Sequence, residues 1–209
     1  LKLKGFTFES YSDTEVLLIS YIAWGPDCVN YFNGIFAFGI WNEKEESLFL
    51  CRDPLGVKPL YYTIKENTLI FGSELKTLLA NPLVEPVIDE NGICEIMGLG
   101  PAHSLESGVF RDVYQLPPAH SLLYTRDNMR RCEYWTLKSS DHLESEKETQ
   151  AHVRELLLDA VKRQLVADVP VCTFLSGGLD SSLITAVASQ EFKKQGNRLD
   201  TYSIDYEEN

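Results

Sequence analysis

The chain's 209 residues are 44% hydrophobic and 11% aromatic, enough apolar material for one large or two small globular cores and too much for a disordered chain. Its 31 acidic and 19 basic side chains leave a formal charge of -12, and with no Lys/Arg cluster to offset it this excludes a nucleic-acid partner. No apolar run approaches the ~20 residues of a membrane span and no leader peptide opens the chain, which predicts a cytoplasmic protein without a membrane partner.

In chain order, the opening LKLKGFTFES alternates like a strand. Ser12 and Glu15 stand at capping-box spacing and predict a helix over 12–24, which Gly25-Pro26 stops. From Asn33-Gly34 onward, the runs IFAFGIW, SLFLCRD, PLYYTI and LIFGSE alternate with the polar turns NEKEE, DPLGVK and KENT, which predicts an antiparallel meander. A short helix follows over Glu74 to Ala80 and breaks at Asn81-Pro82. The stretch RDPLGVKPLYY reads as structural, with Arg52 and Asp53 able to pair with each other.

Between about 81 and 145 the punctuation is dense, with Pro82, Pro86, Gly98, Gly100, Pro101, Gly108 and Pro117-Pro118. This predicts a linker region with one strand pair, HSLLYT and CEYWTL. Beyond it Val153, Leu156, Leu157, Ala160, Val161 and Leu165 recur at helical spacing, with Glu148, Arg154, Glu155, Asp159 and Lys162 on the other face. The apolar run VPVCTFL is the expected partner of that helix, read as a parallel strand buried on both sides. A helix is expected over Leu179 to Lys194 with Leu183, Ile184 and Val187 inward, and a second strand at DTYSIDY.

The order strand, loop, helix, strand makes a parallel unit whose ligands sit beyond the carboxyl ends of its strands. The chain therefore divides into an α+β antiparallel-sheet domain with its linker, 1–145, and the start of an α/β parallel-sheet domain, 146–209. With so little of a sheet, residues beyond about 168 should be the least protected against hydrogen exchange. The five cysteines, Cys28, Cys51, Cys94, Cys132 and Cys172, contain no CxxC pair and read as reduced thiols. The four histidines, His103, His120, His142 and His152, lack ligand spacing and are assigned no catalytic role.

The chemistry concentrates in TFLSGGLDSSLITA, residues 173–186. The first amides of a helix have no carbonyl partners and face an anion favourably, Gly177 and Gly178 remove obstructing Cβ atoms, and Ser176, Ser181 and Ser182 add hydroxyls. A loop of this kind suits phosphate. It is neither GxxxxGK[ST] nor GxGxxG and lacks the lysine that reaches a γ-phosphate, which disfavours kinase-like transfer. The plainer alternative is a Gly-Gly turn with Asp180 or Ser181 as helix N-cap.

VPVCTFLSGGLDSSLITA resembles the SGGxDSS pyrophosphate loop in the synthetase domain of glutamine-hydrolysing asparagine synthetases, a loop shared with other N-type ATP pyrophosphatases (adenine nucleotide alpha-hydrolase-like domains). SDTEVLL, NGIFAFGIWN, CRDPLGVKPLYY and FGSELKTLL resemble, in the same order, the later part of that family's class II glutamine amidotransferase domain. The resemblance implies ATP-dependent amidation of aspartate with glutamine-derived ammonia, giving AMP and pyrophosphate. Glutamine, aspartate and ATP are then the small-molecule partners, Mg2+ the cofactor, and a homodimer of the full-length enzyme is allowed. By resemblance Ser176, Gly177, Gly178, Ser181 and Ser182 hold pyrophosphate, Asp180 positions Mg2+, and Leu175 with Phe174 and Ile204 lines the adenosine.

Asp13 matches the aspartate that binds the α-amino group of glutamine, although an acidic residue at a helix start is stabilised there without any ligand. Two positions depart from the pattern: Tyr11 and Ala119 stand where glycine is usual. The family's glutaminase nucleophile is an N-terminal cysteine, whereas this chain opens on Leu1, so no catalytic residue is assigned. A partial chain, inactive alone in the full reaction, is expected. The rival readings are a related amidotransferase acting on another carboxylate, β-lactam-forming or cell-surface-polymer-modifying, and a non-catalytic nucleotide-binding remnant.

Overall fold

The computed structural model describes residues 1–100, 102 and 104–205; Pro101, His103 and the acidic tail after Asp205 lie outside the described residues. The chain divides into two units, Leu1–Lys138 and Ser139–Asn209.

In the first unit the opening alternation does not make a strand. Lys2–Lys4 form a 3-10 turn closed by Gly5 at φ 88, because among the described residues no strand pairs with this segment. Helix α1 (Asp13–Trp24) starts at Ser12, whose hydroxyl accepts from the Thr14 N–H at 3.2 Å. The expected capping box is not closed. Glu15 instead accepts from the Glu9 and Ser10 N–H groups at 2.8 and 2.7 Å and from the Ser10 hydroxyl at 2.5 Å. These donors, the Glu9 N–H foremost, hold the Glu15 carboxyl below the usual carboxylate range. Gly25, at φ 60, ends α1 and opens a 3-10 turn over Gly25–Tyr31.

The aromatic and β-branched runs become two hairpins, β1 (Ala37–Asn42) with β2 (Ser47–Arg52) and β3 (Tyr61–Lys65) with β4 (Thr68–Gly72). They do not form one meander, because each hairpin belongs to a different sheet. After α2 (Leu75–Leu79) and α3 (Glu90–Leu99) come β5 (Tyr114–Gln115), β6 (His120–Tyr124) and β7 (Met129–Glu133). The sheet orders are β1-β2-β6-β7 and β4-β3-β5.

The expected linker is thus part of the fold. It supplies α3, the second edge of each hairpin, and the buried Val113, Leu116 and Leu122. Asp89 caps α3 by accepting from the Gly92 N–H at 3.0 Å, and Gly92 is there because a Cβ would run into the Val109 carbonyl. Val109 already holds φ 68 and gives way poorly. Gly92→Ala should therefore destabilise the first unit by roughly 1–3 kcal/mol, read as a lower denaturant midpoint.

Alternation along the strands builds the layers. Leu48 and Leu50 of β2 meet Leu60, Tyr62, Leu116 and Leu122 between the two sheets. Phe49 and Cys51 point the other way, against Cys28, Val29 and the α1 residues Leu17 and Tyr21. Tyr61, opposite in sense to Tyr62, packs with Leu78 and Leu79 of α2. The result is helix, sheet, sheet, helix, with β2 buried along its whole length.

Arg52 and Asp53 do not pair with each other; they bind backbone. The Arg52 guanidinium donates to the carbonyls of Lys58, Leu116 and Gly56 at 2.7, 2.7 and 2.6 Å, from a side chain only 5% exposed. Asp53 accepts from the N–H groups of Leu55, Val57 and Lys58 at 3.2, 3.0 and 2.9 Å, which folds the 53–58 loop around one carboxylate. Ala119 lies beside this knot at φ 59, its N–H donating to the Asp53 carbonyl at 2.9 Å. That φ is why glycine suits the position, and the alanine is accommodated at a backbone cost of about 1 kcal/mol.

In the second unit α4 (Glu146–Gln164) begins with a complete capping box between Ser145 and Glu148. Strands β8 (Cys172–Phe174) and β9 (Asp200–Tyr202) are parallel, with α5 (Leu179–Lys194) between them in sequence. Here α4 lies along α5, with Lys162 and Glu191 3.4 Å apart, rather than on the β8 run as expected. Nor is β8 buried on both sides: Cys172 is exposed and Phe174 is 74% exposed, since β9 is its sole strand neighbour among the described residues. In α5 the buried residues are Val187 and Ala188, while Leu183 and Ile184 stay exposed, because one helix and a two-stranded ribbon cover only part of its circumference.

Candidate functional site

The glycine loop follows directly from the end of β8. The Leu175 N–H donates to the Tyr202 carbonyl at 2.8 Å, and the Ser203 hydroxyl donates to the Leu175 carbonyl at 2.6 Å. Next comes Ser176, then Gly177 at φ 81, a conformation that glycine adopts without strain. Gly178, and not Asp180 or Ser181, is the N-cap of α5, and no side chain caps it. The Gly-Gly turn of the plainer reading is therefore present, with its cap at Gly178 and not at Asp180 or Ser181. The N–H groups of Leu179, Asp180 and Ser181 precede the first intrahelical bond, which Ser182 makes to the Gly178 carbonyl at 3.1 Å.

The loop is open to an approaching ligand. A Cβ at Gly177 would meet nothing within 4 Å, and one at Gly178 only the Ser176 hydroxyl at 3.7 Å. Its hydroxyls at present hold the loop itself: Ser181 and Ser182 bond to the Gly178 carbonyl at 3.1 and 2.7 Å, and Ser176 meets Ser181 at 2.9 Å. An anion here would find the backbone amides ready and would recruit the hydroxyls by side-chain rotation. Asp180 lies exposed on the first turn of α5, and Ile204, 76% exposed, follows Ser203. Behind the loop the Thr173 and Thr185 hydroxyls bond at 3.1 Å and tie β8 to α5. Spacing gave no sign of Thr185 or Ser203, because each acts on a residue distant in sequence.

Asp13 belongs to the first unit, at the first position of α1, and is exposed. Its one hydrogen bond is long, 3.5 Å from the Thr14 hydroxyl, so its carboxylate is open to a ligand. A hollow of about 590 Å³ between α1 and the β1–β2 turn, lined by Leu18, Ile22 and Trp41 among others, contains none of the expected site residues. The described histidines have local partners: His120 with the Pro118 carbonyl, His142 with Thr149 and His152 with Glu144. Among the described residues no three His, Cys, Asp or Glu side chains converge as a metal cage, and no helix is long and apolar enough to cross a membrane. Burial pushes the Cys28 thiol up to about 11 and the Cys51 thiol higher still, so neither is a nucleophile near neutral pH.

A two-sheet antiparallel sandwich of amidotransferase type is followed by a second unit in which a parallel strand, an open glycine loop and a helix without a side-chain cap come in succession. Residues 1–135 match the family model of the glutamine amidotransferase domain, and residues 152–209 that of asparagine synthase. The chain belongs, through the model that covers more than half of it, to the glutamine amidotransferase domain family, and its last part is similar to asparagine synthase. It is 52% identical over 210 residues to asparagine synthetase [glutamine-hydrolyzing] 3 of Bacillus subtilis, covering 100% of this chain and 34% of that protein. The putative asparagine synthetase [glutamine-hydrolyzing] 2 of Methanocaldococcus jannaschii is 38% identical, with 95% and 39% covered. The amidase chry2 of Gibberella zeae is 37% identical, with 93% and 29% covered. The chain spans about a third of the length of the curated relatives it matches.

Proposed function

We propose that this protein is a glutamine-hydrolysing asparagine synthase, with 1–145 serving the glutaminase half and 146–209 opening an N-type ATP pyrophosphatase domain. The observation that carries the reading is 52% identity along the whole chain to one such enzyme, extending through an uncapped glycine loop. In the reaction a β-carboxylate oxygen of aspartate bonds to the α-phosphorus of ATP while the bond to the bridging oxygen breaks and pyrophosphate leaves. Ammonia then attacks the activated carbonyl, and AMP departs with the carboxylate oxygen as asparagine forms.

The loop would act on the leaving group. The amides of the first turn of α5, with Ser176, Ser181 and Ser182, spread the charge that develops on pyrophosphate, and the bare Gly177 and Gly178 let it approach the backbone. Leu175, Phe174 and Ile204 would line the adenosine. The exposed Asp180 carboxylate offers the hard oxygen that Mg2+ prefers, and the ion, once held, neutralises phosphate charge. In the amidotransferase unit Asp13 would pair with the α-ammonium of glutamine. Cytoplasmic residence and a homodimer of the full-length enzyme belong to the same proposal. Aspartate-dependent exchange of labelled pyrophosphate into ATP tests it, and exchange with other carboxylates but not with aspartate would move the protein to a different amidation.

A further inference from the structure

The loop has two ends, and they are fixed differently. Its exit is held three times over, by the Ser182 N–H and by the Ser181 and Ser182 hydroxyls, all on the Gly178 carbonyl. Its entry, Leu175, leaves the β8–β9 ladder after the last register pair, Phe174 with Tyr202. Two bonds hold Leu175 there: its N–H to the Tyr202 carbonyl at 2.8 Å, and its carbonyl, accepting from Ser203 at 2.6 Å. The second is a side-chain bond that continues the parallel pairing one residue past the strand. It fixes the plane of the peptide joining Leu175 to Ser176, and so the direction from which Gly177 enters its positive φ.

We infer that Ser203 is a positioning residue for the pyrophosphate loop. It touches neither phosphate nor the reacting atoms and acts through the Leu175 carbonyl, holding residues 176–178 in the open arrangement an anion needs. This rests on the reading of the loop as the pyrophosphate site. Without the hydroxyl, the entry keeps one hydrogen bond, and the loop must be ordered at the moment of binding.

The test uses the protein at its native length with Ser203→Ala and Ser203→Thr, in two measurements. The first is amide hydrogen exchange of residues 176–178 without nucleotide. The second is the affinity for inorganic pyrophosphate, set beside KM for ATP and kcat. Ser203→Ala is expected to speed loop exchange and to raise both the pyrophosphate Kd and KM for ATP roughly fivefold, the worth of one net hydrogen bond, at unchanged kcat. Threonine, which keeps the hydroxyl, should restore all three. A merely structural role would lower the unfolding midpoint and kcat and leave KM where it was. Wild-type loop exchange and pyrophosphate affinity in Ser203→Ala, or no rescue by threonine, overturns the inference alone. A wild-type protein that binds no pyrophosphate overturns the loop reading and this inference with it.

Discussion

Replacing Arg52 with methionine is expected to remove roughly 3 kcal/mol of stability from the first unit, from one buried and two part-buried carbonyls losing their charged donor at once. Methionine keeps much of the stem's packing, so the loss reports the hydrogen bonds. The carbonyls of Lys58, Leu116 and Gly56 belong to the loop after β2 and to the segment entering β6, and Arg52 is the side chain that binds both to the end of β2. A domain of this size holds roughly 5–15 kcal/mol in total, so the variant should unfold at a much lower denaturant concentration. Trp24, Trp41 and Trp135 all lie in the first unit, which makes tryptophan fluorescence a selective probe of it. Arg52→Lys should recover only a minor part, because one ammonium cannot serve three carbonyls with the reach of a planar fork. A loss below about 1 kcal/mol in Arg52→Met would show that water replaces the guanidinium, and the knot would not be a keystone.

The largest effect expected on function comes from Gly177→Ala. The residue holds φ 81, and nothing stands within 4 Å of its would-be Cβ, so the cost comes from the backbone and not from crowding. An L residue pays about 1–2 kcal/mol in that region, enough to move the loop to another conformation and weaken pyrophosphate binding about tenfold or more. Gly178→Ala is the informative companion. Its φ of -75 suits any residue, and its Cβ would meet only the Ser176 hydroxyl. It should leave the free loop unaltered and still lower affinity, through obstruction of the anion's approach to the α5 amides. Titration calorimetry with pyrophosphate on both variants separates conformation from access. Wild-type affinity in both would remove the loop from the site.

Local signals were readable, and long-range ones were not. The extents of α5, of the two hairpins and of the glycine loop follow from periodicity and punctuation within a few residues. Which sheet each hairpin joins does not, because Leu50 pairs with Leu122, far along the chain, and nothing near either residue names the other. The stretch from 81 to 145 misleads for a related reason: proline and glycine mark tight turns inside a core just as they mark a linker, and only the burial of Val113 and Leu116 tells them apart. Arg52 and Asp53 look like a pair because they are adjacent, yet neighbours in extended chain point to opposite sides, and each found backbone partners instead. The site divides along the same line. Ser176 to Ser182 announce themselves as one motif, whereas Ser203 reaches Leu175 only through the pairing of β8 with β9.

The most direct test of the account is exchange of labelled pyrophosphate into ATP by the protein purified from its source at native length, with Mg2+ and with or without aspartate. Label is expected in ATP when aspartate is present, with little without it, and Gly177→Ala should lose exchange in parallel with its loss of pyrophosphate affinity. Exchange that ignores aspartate, or an aspartate-dependent reaction releasing ADP and phosphate in place of AMP and pyrophosphate, would contradict it.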